Sequence, residues 1–162
     1  MRIVKIKYLT ECARRRGPPI RATSGSTGFD LFADEEAKIW PEFLVTINTG
    51  IAIQAWPGAD IQIRSRSGLA FTKGIVVINS PATIDHDYLG PIVVGLYRHS
   101  VRAIDGRDNS HHGFTIEPGQ RIAQLVFAGA GDPADIAWAE VDELLPIQAS
   151  TRGVGGLGHT GL

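Results

Sequence analysis

A chain of 162 residues has the length of one domain, enough to bury roughly 70% of the surface its unfolded form exposes. With 43% hydrophobic and 20% charged residues and a formal net charge of -1, the composition excludes a disordered tail protein. It also excludes the concentrated basic surface needed for sequence-independent binding to duplex nucleic acid or anionic membrane. Cys12 is the only cysteine, so no intrachain disulfide is possible, and a reduced cytosol suits the chain. No segment approaches the ~18 consecutive apolar residues of a membrane span. A soluble, cytoplasmic protein without a nucleic-acid or membrane partner is expected.

Residues 2–8 alternate charged and apolar side chains, which predicts a first strand where a signal peptide would need an unbroken apolar run. Arg14-Arg15-Arg16, ahead of Gly17-Pro18-Pro19, is read as a solvated loop. Val45, Ile47, Thr49, Ile51 and Ile53 share one face at period two, followed by Ile61 and Ile63. A short helix is predicted after Ser67, its N-cap, through Leu69, Ala70 and Phe71 to a stop at Gly74. Strands are expected over 75–78, at Ile92, Val94 and Leu96, and over 114–117, 122–127 and 136–141. Turn clusters such as Asp105-Gly106 and Glu117-Pro118-Gly119 separate them.

The fold class is therefore all-β, a sandwich, barrel or jelly roll with one short helix. Residues 98–113, rich in charge and histidine, read as a surface loop. His111 and His112 stand side by side, a spacing that seldom converges on one metal, and they are assigned no chemistry. Residues 151–162 lack periodicity and read as a flexible glycine-rich tail.

Three features suit a phosphorylated ligand. Arg66-Ser67-Gly68 opens the short helix with a guanidinium, a hydroxyl and exposed amides; a capped helix with a surface arginine is the plainer alternative. Arg152 lies in the tail, whose amides are able to close over phosphates or simply to remain solvated. In Thr83-Ile84-Asp85-His86-Asp87-Tyr88 an extended backbone would point both carboxylates to one face and His86 to the other. Such a pair serves as base and partner, as a metal site, or as two solvated acids.

Together these stretches resemble the five motifs of the trimeric dUTPase family, in that family's order and spacing. The first is Gly25-Ser26-Thr27-Gly28-Phe29-Asp30-Leu31 and the second Arg66-Ser67-Gly68-Leu69-Ala70. The third is Asn79-Ser80-Pro81-Ala82-Thr83-Ile84-Asp85-His86-Asp87-Tyr88-Leu89-Gly90. Gly119-Gln120-Arg121-Ile122-Ala123-Gln124-Leu125 and the tail from Arg152 to Gly161 complete the set.

The resemblance implies a jelly-roll-like β-barrel over residues 1–148 and a C-terminal arm, 149–162, closing over an active site. It implies a homotrimer with sites shared between subunits, and hydrolysis of dUTP to dUMP and pyrophosphate with Mg²⁺. Asp85 would be the general base and Asp87 a supporting acid. Tyr88 would pack against the deoxyribose and Asn79 would recognise uracil. Arg66, Ser67, Gly68, Gln124, Arg152 and Gly158 would bind the nucleotide, and Asp30 would hold a water of the magnesium ion.

The chain departs from the pattern at several places. Leu157 stands where such tails usually carry a Phe that stacks on uracil, and Ala82 replaces a common glycine, so a strained turn is expected if that glycine serves a positive φ. Leu89 and Pro91 replace Arg and Glu. The 98–113 loop is longer than is common and is expected to be a surface insertion. Two rival readings are a dCTP deaminase-related enzyme, against which the tail argues, and a catalytically silent dUTPase-like regulatory module.

Overall fold

The computed structural model describes residues 1–100 and 111–145. Within them the regular structure is mostly strand, and its inward residues form one core. Strand β1 (Arg2–Tyr8) lies between β12 (Ile136–Glu140), to which it is parallel, and β5 (Ile51–Gln54), to which it is antiparallel. Strands β2 (Phe29–Phe32), β11 (Arg121–Ala128), β6 (Asp60–Arg64) and β8 (Ala82–Ile84) form a second sheet in that order. A third contains β4 (Leu44–Asn48), β9 (Val93–Arg98) and β7 (Ile75–Val77), and β3 (Ala37–Ile39) pairs with β10 (Phe114–Ile116). The expected all-β class holds, with these four sheets packed together and no single closed barrel among the described residues.

Alternation explains the packing. Along β9, Val94 and Leu96 turn inward while Val93 faces solvent, and β6 buries Ile61 and Ile63 in the same way. Leu96 is fully buried, so Leu96→Ala is expected to cost about 2–5 kcal/mol, the usual range for a cavity of this size. A fall in the denaturant midpoint at unchanged slope would show it.

The long alternating run over 45–53 does not form one strand. It breaks at Gly50, whose φ of 71° few side chains adopt and where a Cβ would come within 2.6 Å of Asp34 Cγ. The chain passes there from β4, paired with β9, to β5, paired with β1. Because β5 is buried on both faces, its apolar character is continuous instead of alternating.

The helices differ from expectation. The arginine run lies in α1 (Glu11–Arg16), where a loop was the reading. Thr10 caps this helix by accepting the Ala13 N–H at 3.1 Å, Gly17 ends it at φ 84°, and Ala13 plugs it into the core. Glu11 in its first turn and three arginines in its last complement the dipole. Six residues are too few to show helical periodicity, so only the cap and the charge order carried the signal. The second helix, α2 (Ser67–Lys73), begins and ends close to where it was predicted, with Gly74 in the left-handed region. Ser67 is not its N-cap: Arg66 holds the cap position in extended geometry, and no side chain caps the turn.

Candidate active site

The middle of the four-stranded sheet assembles the first, second and fourth motifs. Gln124 on β11 stands between Asp30 on β2 and Arg64 on β6. Asp30 is 7% exposed, yet both its oxygens are engaged: Arg66 Nε donates to Oδ1 at 3.0 Å and Arg121 Nη1 to Oδ2 at 3.2 Å. A second guanidinium nitrogen of Arg66 donates to the Arg121 carbonyl at 3.1 Å, so Arg66 is fixed as well as paired. A buried carboxylate needs such compensation, and here it places two positive side chains at the exit of β6, directly before α2.

Gln124 is held from two sides. Its Nε2 donates to the Ser65 carbonyl at 3.0 Å, and the absent side chain of Gly28 leaves room for its amide, since a Cβ there would lie 2.4 Å from Oε1. Gly28 of the first motif is thus explained by the glutamine of the fourth. Gly68, at the start of α2, is different, because a Cβ there would meet nothing within 4 Å and its φ is not positive. Nothing within the chain requires glycine at 68, and its amide and the Ser67 hydroxyl stand at an open edge.

The third motif begins beside this cluster and leads away from it. Ser65 accepts the Val77 N–H at 2.9 Å and donates its own N–H to Ser80 Oγ at 3.3 Å, so the turn carrying exposed Asn79 is fastened to the second motif. After the cis Ser80-Pro81 bond, β8 pairs Ala82 with Ile63 and Ile84 with Ile61, running down β6. Ala82 therefore sits in regular extended backbone, and the positive φ feared at this position does not occur; among the described non-glycine residues only Glu42 has one.

Residues 85–88 form a turn, the Tyr88 N–H bonding the Asp85 carbonyl at 3.0 Å. The extended geometry that would set Asp85 and Asp87 on one face is therefore absent. The Tyr88 hydroxyl donates to the Pro91 carbonyl at 2.9 Å, and its ring lies so close to Gly90 that a Cβ there would come within 2.7 Å of Cζ. The tyrosine ring is consequently held in one place.

The register gives the separation that matters most. Asp85 follows Ile84, which is paired with Ile61, whereas Gln124 is paired with Arg64 at the other end of β6. Three residues of strand from Ile61 to Arg64 span roughly 10 Å. One chain thus keeps Asp85 and the Asp30–Arg66–Gln124 cluster at opposite ends of β6.

Compared with known proteins, residues 17–161 match the dUTPase family model. The chain belongs to the dUTPase family. It is 42% identical over 145 residues to the deoxyuridine 5'-triphosphate nucleotidohydrolase of Hydrogenobaculum sp. (strain Y04AAS1), covering 89% of this chain and 90% of the relative. Identity to the protein of that name from Nautilia profundicola is 41% over 158 residues, 98% of each chain. Among solved structures, a variant dUTPase of phage phi11 of S. aureus, which coordinates a structural Mg(II) ion, superposes with a TM-score of 0.63 at 22% identity. That likeness covers 76% of this chain and 88% of the other and concerns the fold.

Neither Arg121 nor Ser65 stands out in the sequence as a site residue. Arg121 stands inside the fourth motif and Ser65 one residue ahead of the second; only the pairing of β11 with β2 and the bonds from Ser65 to the 78–81 turn give them a place at the site. His111 and His112 are exposed, and no group of three metal-binding side chains occurs among the described residues. Arg152, Leu157 and Gly158 lie outside the described residues. No helix among those described is long and apolar enough to cross a membrane.

Proposed function

We propose that the protein hydrolyses dUTP to dUMP and pyrophosphate, which limits uracil in DNA and supplies dUMP for thymidylate synthesis. The observation that carries this reading is the buried Asp30 carboxylate holding Arg66 and Arg121 beside Gln124 at the start of α2. A fixed array of donors is what a triphosphate requires, because its charges must be met without reorganisation during reaction.

In this mechanism Asp85 takes a proton from a water, whose oxygen attacks the α-phosphorus. The bond from that phosphorus to the bridging oxygen of the β-phosphate breaks, and pyrophosphate departs. Arg66, the Ser67 hydroxyl, the Gly68 amide, Gln124 and Arg152 hold the phosphates and meet the charge developing on the leaving group. Asp87 supports Asp85. The Tyr88 ring, pinned by Gly90 and Pro91, leaves no room for a ribose 2′-hydroxyl, and Asn79 reads uracil. Leu157 and Gly158 of the arm cover the bound nucleotide.

Asp30 suits a water of a Mg²⁺ ion. Two guanidiniums occupy two of about four acceptor directions of its carboxylate, leaving capacity for a water donor. Mg²⁺, held through a water on Asp30, would supply charge neutralisation for the triphosphate, and because this ion keeps several of its own waters few protein ligands would suffice.

The distance between Asp85 and the phosphate cluster within one chain supports a homotrimer in which the third motif of one subunit completes the site of its neighbour. Testing begins with pyrophosphate release across the deoxy- and ribonucleoside triphosphates, with ammonia assayed in parallel. Release from dUTP with Mg²⁺, and no ammonia from dCTP, is expected; intact dUTP would overturn the reading, and ammonia would move the protein to the deaminase class.

A tail leucine cannot stack on uracil as an aromatic ring does. Leu157→Phe is therefore expected to lower KM for dUTP, by part of the ~1–3 kcal/mol that base–aromatic stacking supplies. An unchanged KM would remove residue 157 from contact with the base.

A further inference from the structure

Among the described residues, Arg98 and Asp30 are the two charged side chains buried in the protein. Asp30 belongs to the site; Arg98 ends β9 on the other side of α2 and is 2% exposed. Its guanidinium serves backbone carbonyls from three elements. Nε donates to Lys73 O and Nη1 to Ile39 O, each at 3.3 Å, and Nη1 also donates to His112 O. Lys73 is the last residue of α2, Ile39 the last of β3, and His112 leads into β10.

The carbonyls in the last turn of a helix lack partners within it, and a cation there is favourable. Arg98 supplies both a donor and the charge. Next to it the His99 N–H donates to Gly74 O at 2.9 Å, and Lys73 Nζ lies 5.7 Å from the Phe114 ring centre. The C-terminal end of α2 is accordingly fastened to β9 and β10, as its N-terminal end is fastened through Arg66 to Asp30. A helix of seven residues is about 10 Å long and moves as one piece.

We infer that Arg98 is a positioning residue for triphosphate binding: by holding the C-terminal end of α2 it fixes where Ser67 and Gly68 stand. The inference rests on the reading that these residues receive the phosphates. It also gives the segment leading into β10 a role, since the His112 carbonyl shares the guanidinium that holds the helix.

The test compares dUTP with deoxyuridine, which lacks the phosphates and reports the base and sugar pocket alone. Arg98→Met is expected to raise KM for dUTP about tenfold, the scale of one lost charge-assisted hydrogen bond. The inhibition constant of deoxyuridine should stay within about twofold, since that contact does not involve α2. Arg98→Lys keeps the cation without the fork, and a smaller rise is expected. If the Met variant does not fold, the Lys variant decides.

An equal loss for both ligands, or no loss in a folded variant, overturns the inference and leaves Arg98 a stabilising residue only. Ser67→Ala separates this from the premise. If Ser67→Ala weakens dUTP relative to deoxyuridine while the Arg98 variants do not, the coupling alone is wrong. If Ser67→Ala has no such effect, the phosphate reading fails and takes the inference with it.

Discussion

Asp85→Asn is expected to slow turnover of dUTP by ~10²–10⁴, the usual contribution of a general base, while dUTP still binds. Asparagine keeps the size of the side chain and most of its hydrogen bonding, so the turn over 85–88 should survive and the loss should appear in kcat, with KM little changed. Single-turnover measurement with equilibrium binding of a non-hydrolysable dUTP analogue separates the two quantities. Turnover within a few-fold of the parent enzyme would strip Asp85 of its role and leave Asp87 or another base to be found. The carboxylate pair does not share an extended face, so the two positions are not interchangeable, and Asp87→Asn should have the smaller effect.

Mixing two inactive variants should restore activity. If the Asp85 end of β8 completes a neighbour's site, Asp85→Asn and Arg66→Ala subunits compensate wherever an intact Asp85 and an intact Arg66 meet at one site. Each requirement is met half the time in random assembly from equal amounts, so about a quarter of the sites should be whole in a closed symmetric oligomer. Recovery is measured after joint refolding, with each variant refolded alone as the baseline. If refolded mixtures stay at that baseline, both residues act from one chain, and the roughly 10 Å of strand between them has to be bridged by a movement within the subunit.

Much of the fold was legible because most strands alternate cleanly. Residues 2–8, 61–63, 92–96 and 122–127 were read as strands, and all fall in strands or at their edges. What the residues hid were features that depend on neighbours far away in sequence. Strands β2, β3 and β8 have only three or four residues, too few for periodicity; β2 and β8 pair with the longer β11 and β6, and β3 with the equally short β10. The switch of sheets at Gly50 is invisible in a pattern that runs on unchanged from Val45 to Ile53. Helix α1 showed itself only through Thr10 and its ordered charges.

The site was legible as motifs but not as geometry. Spacing brought Asp30, Arg66 and Gln124 to notice, yet the ion pairs among Asp30, Arg66 and Arg121 follow from strand pairing across 91 residues. A positive φ at Ala82 would need a turn at that position, and pairing with Ile63 makes it strand. The equal-face argument for Asp85 and Asp87 failed for the opposite reason, since the strand ends at Ile84.

The parallel course of β1 and β12 has a practical consequence. Arg2 stands beside Ile136 and Ile6 beside Glu140, so the chain departs from β12 roughly 13 Å along the strand from where Met1 enters β1. A fusion partner or fluorescent label attached ahead of Met1 would thus sit at the end of this strand pair away from Glu140.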